Sequence, residues 1–135
     1  MSENITKISD SNFDSMIITT SNKPKLIFFL ANWSGPSRMI RPILEETVKK
    51  FQSKMEFYEL DIDDNSATAM KYYVMNAPTL IIFKNGQIVT TLVGLANRDK
   101  LNKIIEKAIE TSNLYKNIFA FSKKVAAHYG VRFST

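Results

Sequence analysis

The chain of 135 residues has no cysteine, which excludes disulfides, thiolate–zinc sites and thiol catalysis, and removes the usual clue to redox compartment. Its length suits one domain with an unstapled core, and its 44% hydrophobic and 23% charged residues are ordinary for a globular protein. The net charge of +5 is unevenly placed: residues 1–110 nearly balance, whereas Lys116, Lys123, Lys124 and Arg132 stand without an acid in residues 111–135.

In chain order, ITKIS (5–9) reads as a short strand. Ser9 or Asp10 is positioned to cap a helix whose Phe13, Met16 and Ile17 share one face. Lys23-Pro24 breaks it. KLIFFLA (25–31) is nearly all apolar, as in a central strand buried on both faces. WSGPSR (33–38) follows, then Met39, Ile40, Ile43, Leu44, Val48 and Phe51 at helical spacing, with Pro42 inside the helix. MEFYELDID (55–63) alternates as a strand, NSATAMKYYV (65–74) reads as a short helix capped by its asparagine, and TLIIF (79–83) is the next strand. KNGQ (84–87) places Asn-Gly between two apolar runs, a strong hairpin signal, with IVTTLVG (88–94) as partner. NRDKLNKIIEKAIE (97–110) puts Leu101, Ile104, Ile105, Ala108 and Ile109 on one helical face.

The order β-α-β-α-β-α-β-β-α predicts an α/β domain over 1–110: a mixed sheet, parallel where helices intervene and antiparallel at the hairpin, with helices on both faces. Residues 111–135 add a basic amphipathic helix. Its Leu114, Ile118, Phe121, Val125 and Tyr129 recur at helical spacing, Ser112 or Asn113 is a potential cap, and Gly130 is a stop. Docking on its own domain is the first expectation for this apolar face. A second copy or a partner is the alternative, so the chain is expected to be a monomer or a tail-mediated dimer. The N-terminus lacks the apolar core of a secretory signal and no apolar run approaches the ~20 residues of a membrane span, so the expected location is the cytoplasm.

The element order, WSGPSR after the second strand, NAPTLIIFKNG further on and Gly94 after the last strand together resemble the thioredoxin family over about residues 5–110. That resemblance implies the thioredoxin fold, with Pro78 as its cis-proline. It aligns Trp33 to Arg38 with the family's Trp-Cys-Gly-Pro-Cys-Lys/Arg motif. There, a first cysteine at a helix N-terminus has its thiolate stabilised by the helix dipole, and a second one turn later resolves the mixed disulfide. In this chain Ser34 and Ser37 hold the cysteine positions, Phe28 holds that of the buried relay acid, and Glu59 that of the nearby lysine. A hydroxyl forms no disulfide, and an apolar ring replaces the relay carboxyl, so no catalytic residue remains at these four degenerate positions. Engineered Cys-to-Ser replacement accounts for two serines but not for Phe28 and Glu59.

Ser34 reads as an N-cap, a role worth about 0.5–2 kcal/mol. A serine nucleophile needs a base and an oxyanion hole, and nothing places His128 near Ser34. The resemblance further implies a peptide-binding groove at Trp33, Gly35, Pro36, Ala77, Pro78, Val93 and Gly94, with the backbone of Ala77 pairing a bound strand. Asp61, Asp63 and Asp64 read as strand-end and cap acids rather than a calcium loop, so neither metal nor cofactor is expected. Tail cations among Tyr115, Phe119, Phe121, Tyr129 and Phe133 are weak grounds for nucleic-acid binding. Three functions result: a redox-inactive protein- or peptide-binding subunit, assembly factor or chaperone; a thiol–disulfide oxidoreductase whose two cysteines were replaced by serine; or an interaction module driven by the tail, as a dimer or as a surface that meets acidic lipid, nucleic acid or protein.

Overall fold

The computed structural model describes residues 4–18, 23–128 and 130. Five strands form one sheet: β1 (Ile5–Lys7), β2 (Lys25–Leu30), β3 (Glu56–Asp61), β4 (Thr79–Lys84) and β5 (Gln87–Val93), in spatial order β1-β3-β2-β4-β5. β3 runs parallel to both β1 and β2, while β4 is antiparallel to β2 and β5. The parallel pairs follow from the intervening helix α1 (Gly35–Phe51), and the antiparallel edge from the hairpin. At that hairpin Asn85 and Gly86 have φ of 52° and 76°, the left-handed pair that a type I′ turn demands and Asn-Gly supplies.

β2 is buried along its whole length, and its alternating side chains feed two cores. Leu26, Phe28 and Leu30 pack with Ile40, Leu44 and Val48 of α1 and with Leu101 and Ile105 of the C-terminal helix α3 (Arg98–His128). Ile27 and Phe29 face the other way, onto Phe13 and Ile17 and onto Ala69 of α2 (Ser66–Lys71). The second core includes an aromatic trio, Phe13, Tyr72 and Phe83, with ring centroids 5.2–5.8 Å apart. The segment expected as the first helix contains a π-helical turn, Asp14–Ile18.

Two caps differ from expectation. Asp10 does not serve its own turn; its carboxylate accepts from the backbone N–H of Thr68 at 2.8 Å and of Ala67 at 3.3 Å, and from the Thr68 hydroxyl at 2.6 Å. It thus caps α2, more than fifty residues further along the chain, on the same face of the sheet. Asn65, at the expected cap position, instead accepts from the Asp10 N–H and donates to the Asp61 carbonyl. The Thr68 hydroxyl foremost, then the two backbone N–H groups against an opposing effect of burial, holds the Asp10 carboxyl below its usual value. This depressed value gives a contribution to stability that is present above the unfolded carboxyl's pKa and lost as pH falls through the folded one. Asp10→Ala is expected to cost about 1 kcal/mol, read as a lower urea midpoint at neutral pH with an unchanged slope.

Lys25 is buried at the start of β2. Its ammonium donates to the Met16 carbonyl at 2.8 Å and lies 3.8 Å from Glu56, whose carboxylate also accepts from the Tyr58 hydroxyl at 2.9 Å. Burial first, then the bond to Glu56, pushes the Tyr58 phenol up to about 12. Because this value is raised, its stabilising contribution is complete below pH ~10 and lost as pH rises through about 12. In an absorbance titration Tyr58→Phe is expected to remove a late-ionising tyrosine and to flatten the loss of stability above pH ~10.

The C-terminal helix is present, and it is continuous with the helix before it: α3 runs 31 residues without a break. No glycine or proline interrupts residues 98–128, so Ser112 lies buried inside one helix rather than capping a second. Gly130, expected as the stop, has φ of 78°. Tyr129, Arg132 and Phe133 fall outside the described residues. Leu114, Ile118, Phe121 and Val125 are all exposed, so the expected docking of this face on its own domain is not made. No helix is long and apolar enough to cross a membrane among the described residues.

Candidate functional site

The site forms where α1 begins, beyond the end of β2. Ser34 has extended backbone angles and its hydroxyl accepts from the Ser37 N–H at 3.1 Å, the N-cap expected there, with Pro36 in the first turn, where a missing N–H costs nothing. The same hydroxyl donates to the Ala77 carbonyl at 2.9 Å. Ala77-Pro78 is a cis peptide. A single buried serine therefore ties the start of α1 to the loop before β4. Ser37, also buried, is more than filling: its hydroxyl accepts from the Ala31 N–H at 3.3 Å, joining the helix to the end of β2.

On the far side of the loop, the Gly94 N–H donates to the Pro78 carbonyl at 2.8 Å, and Val93 pairs with Thr79 in the β4–β5 ladder. Gly94 has φ of 91°, which a residue with a Cβ adopts only under strain. Trp33 is 67% exposed and Val93 59%, both large apolar side chains in water. The Trp33 indole N–H donates to Asp63 at 2.7 Å, which fixes the ring's orientation while leaving it open. The motif serines, Gly35, Pro36, Trp33, Ala77, Pro78, Val93 and Gly94 are thus gathered at one end of the sheet by three short connections.

Beneath this end, Phe28 is fully buried and stands beside Glu59 in the β2–β3 register. Glu59 is 6% exposed, and one of its carboxylate oxygens takes a 3.0 Å bond from Arg41 of α1. The other carboxylate oxygen is buried without a hydrogen-bond partner among the described residues. Asp63 and Arg41 are site residues that sequence reasoning missed. Asp63 was visible only as one of three clustered acids, and Arg41 only as a polar position on a helix; both roles are made by tertiary contact. In that acidic cluster Asp61 accepts from the backbone N–H of Asp63 and Asp64. Among the described residues no group of acids and histidines is arranged to hold a metal ion.

The thioredoxin family model matches residues 4–107. The chain belongs to the thioredoxin family. Its relatives include the thioredoxin of Staphylococcus epidermidis, 43% identical over 103 residues that cover 76% of this chain and 96% of that protein. The thioredoxin of Staphylococcus aureus is 41% identical over the same shares. In this thioredoxin-family chain the cysteine-free motif keeps the fold's junction intact, because serine hydroxyls make the bonds that hold it. The match ends at 107, before the exposed half of α3 begins.

Proposed function

We propose that this chain is a redox-inactive member of its family that acts by binding an extended polypeptide in the groove around Trp33 and Pro78, as a cytoplasmic subunit, assembly factor or chaperone-like protein. Residues 1–110 are the binding domain and residues 111–135 an extension. The observation that carries this is the Ser34 hydroxyl. It caps α1 and donates to the Ala77 carbonyl at once, so it fixes both walls of the groove with a group that has no redox chemistry. A thiolate at that point has no hydrogen to donate.

The surroundings agree. A rigidly held but exposed indole, an exposed Val93 and a backbone loop beside them are a surface for gripping a chain in strand-like pairing, with apolar walls for alternate side chains. The buried ring of Phe28 adds apolar packing where proton transfer would require a carboxyl.

Peptides selected by display on the full chain test this. Trp33→Ala and Val93→Glu, at exposed positions, are each expected to weaken the selected peptides at least tenfold without changing the fold. Undiminished binding to both variants moves the site away from the groove.

A further inference from the structure

We propose that Tyr73 and Met75, with Met70, form an apolar platform that extends the groove and selects an uncharged polypeptide segment carrying a large apolar side chain beyond the residue paired to Ala77. This rests on the groove reading above and gives it a substrate class. The observation that carries it is a bulky residue at a position whose backbone favours glycine. α2 ends in a Schellman motif: the Val74 N–H donates to the Ala69 carbonyl at 2.8 Å and the Tyr73 N–H to the Met70 carbonyl at 3.1 Å. Val74 and Ala69 both belong to the second core, as the hydrophobic contact of such an ending requires. The motif sets Tyr73 at φ 57°, in the left-handed region, where glycine fits without strain and a side chain does not. Asn85 is the other described non-glycine residue with positive φ, and its hairpin accounts for it.

Tyr73 is 88% exposed, so packing within the chain does not compensate the strain. Met70, in the last turn of α2, and Met75 are exposed too, while Val74 between Tyr73 and Met75 is buried. Tyr73 and Met75 therefore lie on the outward side of the segment that leads to Ala77. They precede Ala77 by four and two residues, so their Cα atoms lie within about 15 and 8 Å of it. An extended chain paired at Ala77 covers that span with roughly two to five further residues. The residue types suit contact: a tyrosine ring offers a large area, and the unbranched thioether of methionine adapts to what lies on it.

The charges around this surface select the occupant. Residues 72–97 supply Ala77, Pro78, the hairpin, Val93 and Gly94, and they hold one charged residue, Lys84, in a chain that is 23% charged. Lys84 stands at the hairpin, at the other end of β4 from Thr79 and the groove. Outside this stretch, Lys71 lies 3.6 Å from Asp14, the Asp63 carboxylate holds the Trp33 indole, and Arg38 donates to the Asn32 carbonyl at 2.7 Å. Asp61, Asp63 and Asp64 precede α2 and Tyr73 follows it, so those acids and the platform stand at opposite ends of that helix. A charged side chain laid on the platform loses water without gaining a partner. A leucine or phenylalanine there buries apolar area against the ring and the thioethers.

Fluorescence anisotropy on the full chain provides the test. The probes are labelled peptides of alternating threonine and valine that end, on both sides, in phenylalanine, serine, aspartate or lysine. The phenylalanine-ended peptide is expected to bind at least tenfold tighter than the other three. Tyr73→Gly and Met75→Ser should each weaken it at least fivefold and leave the serine-ended peptide within twofold. Tyr73→Gly should at the same time raise the urea midpoint of unfolding, because the strain is gone. Trp33→Ala should weaken the phenylalanine-ended and serine-ended peptides alike. Unchanged binding of the phenylalanine-ended peptide by both platform variants overturns the proposal; if Trp33→Ala still loses it, the groove reading stands. Loss in Tyr73→Gly with none in Trp33→Ala or Val93→Glu overturns it differently: the groove reading itself fails, and the platform extends nothing. Aspartate- or lysine-ended peptides that bind as tightly as the phenylalanine-ended one also overturn it. So does a lower urea midpoint in Tyr73→Gly, which assigns the tyrosine to the fold.

Discussion

Ser34→Cys combined with Ser37→Cys is expected to yield a chain that forms a disulfide yet reduces insulin about 10²–10⁴ times more slowly than a thioredoxin assayed beside it, the range that general acid–base catalysis contributes. The spacing across the first turn of α1 is intact, and residue 34 sits at the helix N-terminus, where a thiolate is stabilised by the dipole and by the Ser37 N–H. Attack on a disulfide is therefore not the defect. The second position is the difficulty. Ser37 is buried, and a cysteine there must lose its proton to a nearby base before it can resolve the mixed disulfide. Phe28, which the family resemblance sets at the relay carboxyl's position, is a fully buried ring, and the neighbouring carboxylate of Glu59 is engaged by Arg41. Mixed disulfides with substrate should accumulate, visible by mass spectrometry, in place of turnover. Turnover within tenfold of the thioredoxin control would instead make this chain an oxidoreductase with its cysteines replaced, and would remove the basis for reading Phe28 as lost chemistry.

Legibility in the sequence tracked the distance over which each interaction acts. Asn85-Gly86 was readable because its turn depends on two residues' own backbone preferences, and Ser34 because a cap bonds three residues ahead. The sheet and its two cores were readable from the alternation of β2 and the stripe of α1, since burial imposes those periods directly. Asp10 was misassigned because its partners lie at Ala67 and Thr68, distant in sequence, and a carboxylate caps whichever free N–H groups the fold delivers. The anchoring of the Trp33 indole by Asp63 was not readable, because the two lie thirty residues apart. Lys25, at the edge of an apolar run, is buried because the Met16 carbonyl receives its ammonium, a partner supplied by the π-helical turn. The direction of the tail's apolar face was recoverable in principle. Counting rotation from Ile109 to Leu114 along an unbroken helix turns the stripe to the opposite side; the missing premise was that no cap intervenes.

Arg41→Ala is expected to destabilise the fold by about 2–3 kcal/mol, more than any other single surface-reaching change in the site. Glu59 is 6% exposed, and the bond to Arg41 at 3.0 Å is the only one that its carboxylate makes with a described residue's side chain. Removing the guanidinium leaves a carboxylate inside the core beside Phe28, with one oxygen already lacking a partner among the described residues. Because Arg41 is itself about one-third exposed, water reaching the gap offsets part of the penalty, which holds the expected value below that of a fully enclosed pair. The double substitution Arg41→Met with Glu59→Met separates the two sources of that loss. It removes the stranded charge and refills the space with apolar volume, so it should recover at least half of the stability lost by Arg41→Ala. Chemical denaturation of the wild type, Arg41→Met alone, Glu59→Met alone and the double variant gives the coupling directly. A coupling near zero would mean that Glu59 is solvated from elsewhere, and then the pair does not hold α1 to β3 under the groove. A coupling of 1 kcal/mol or more makes the ion pair a clamp that holds α1 to β3 beside the buried ring of Phe28.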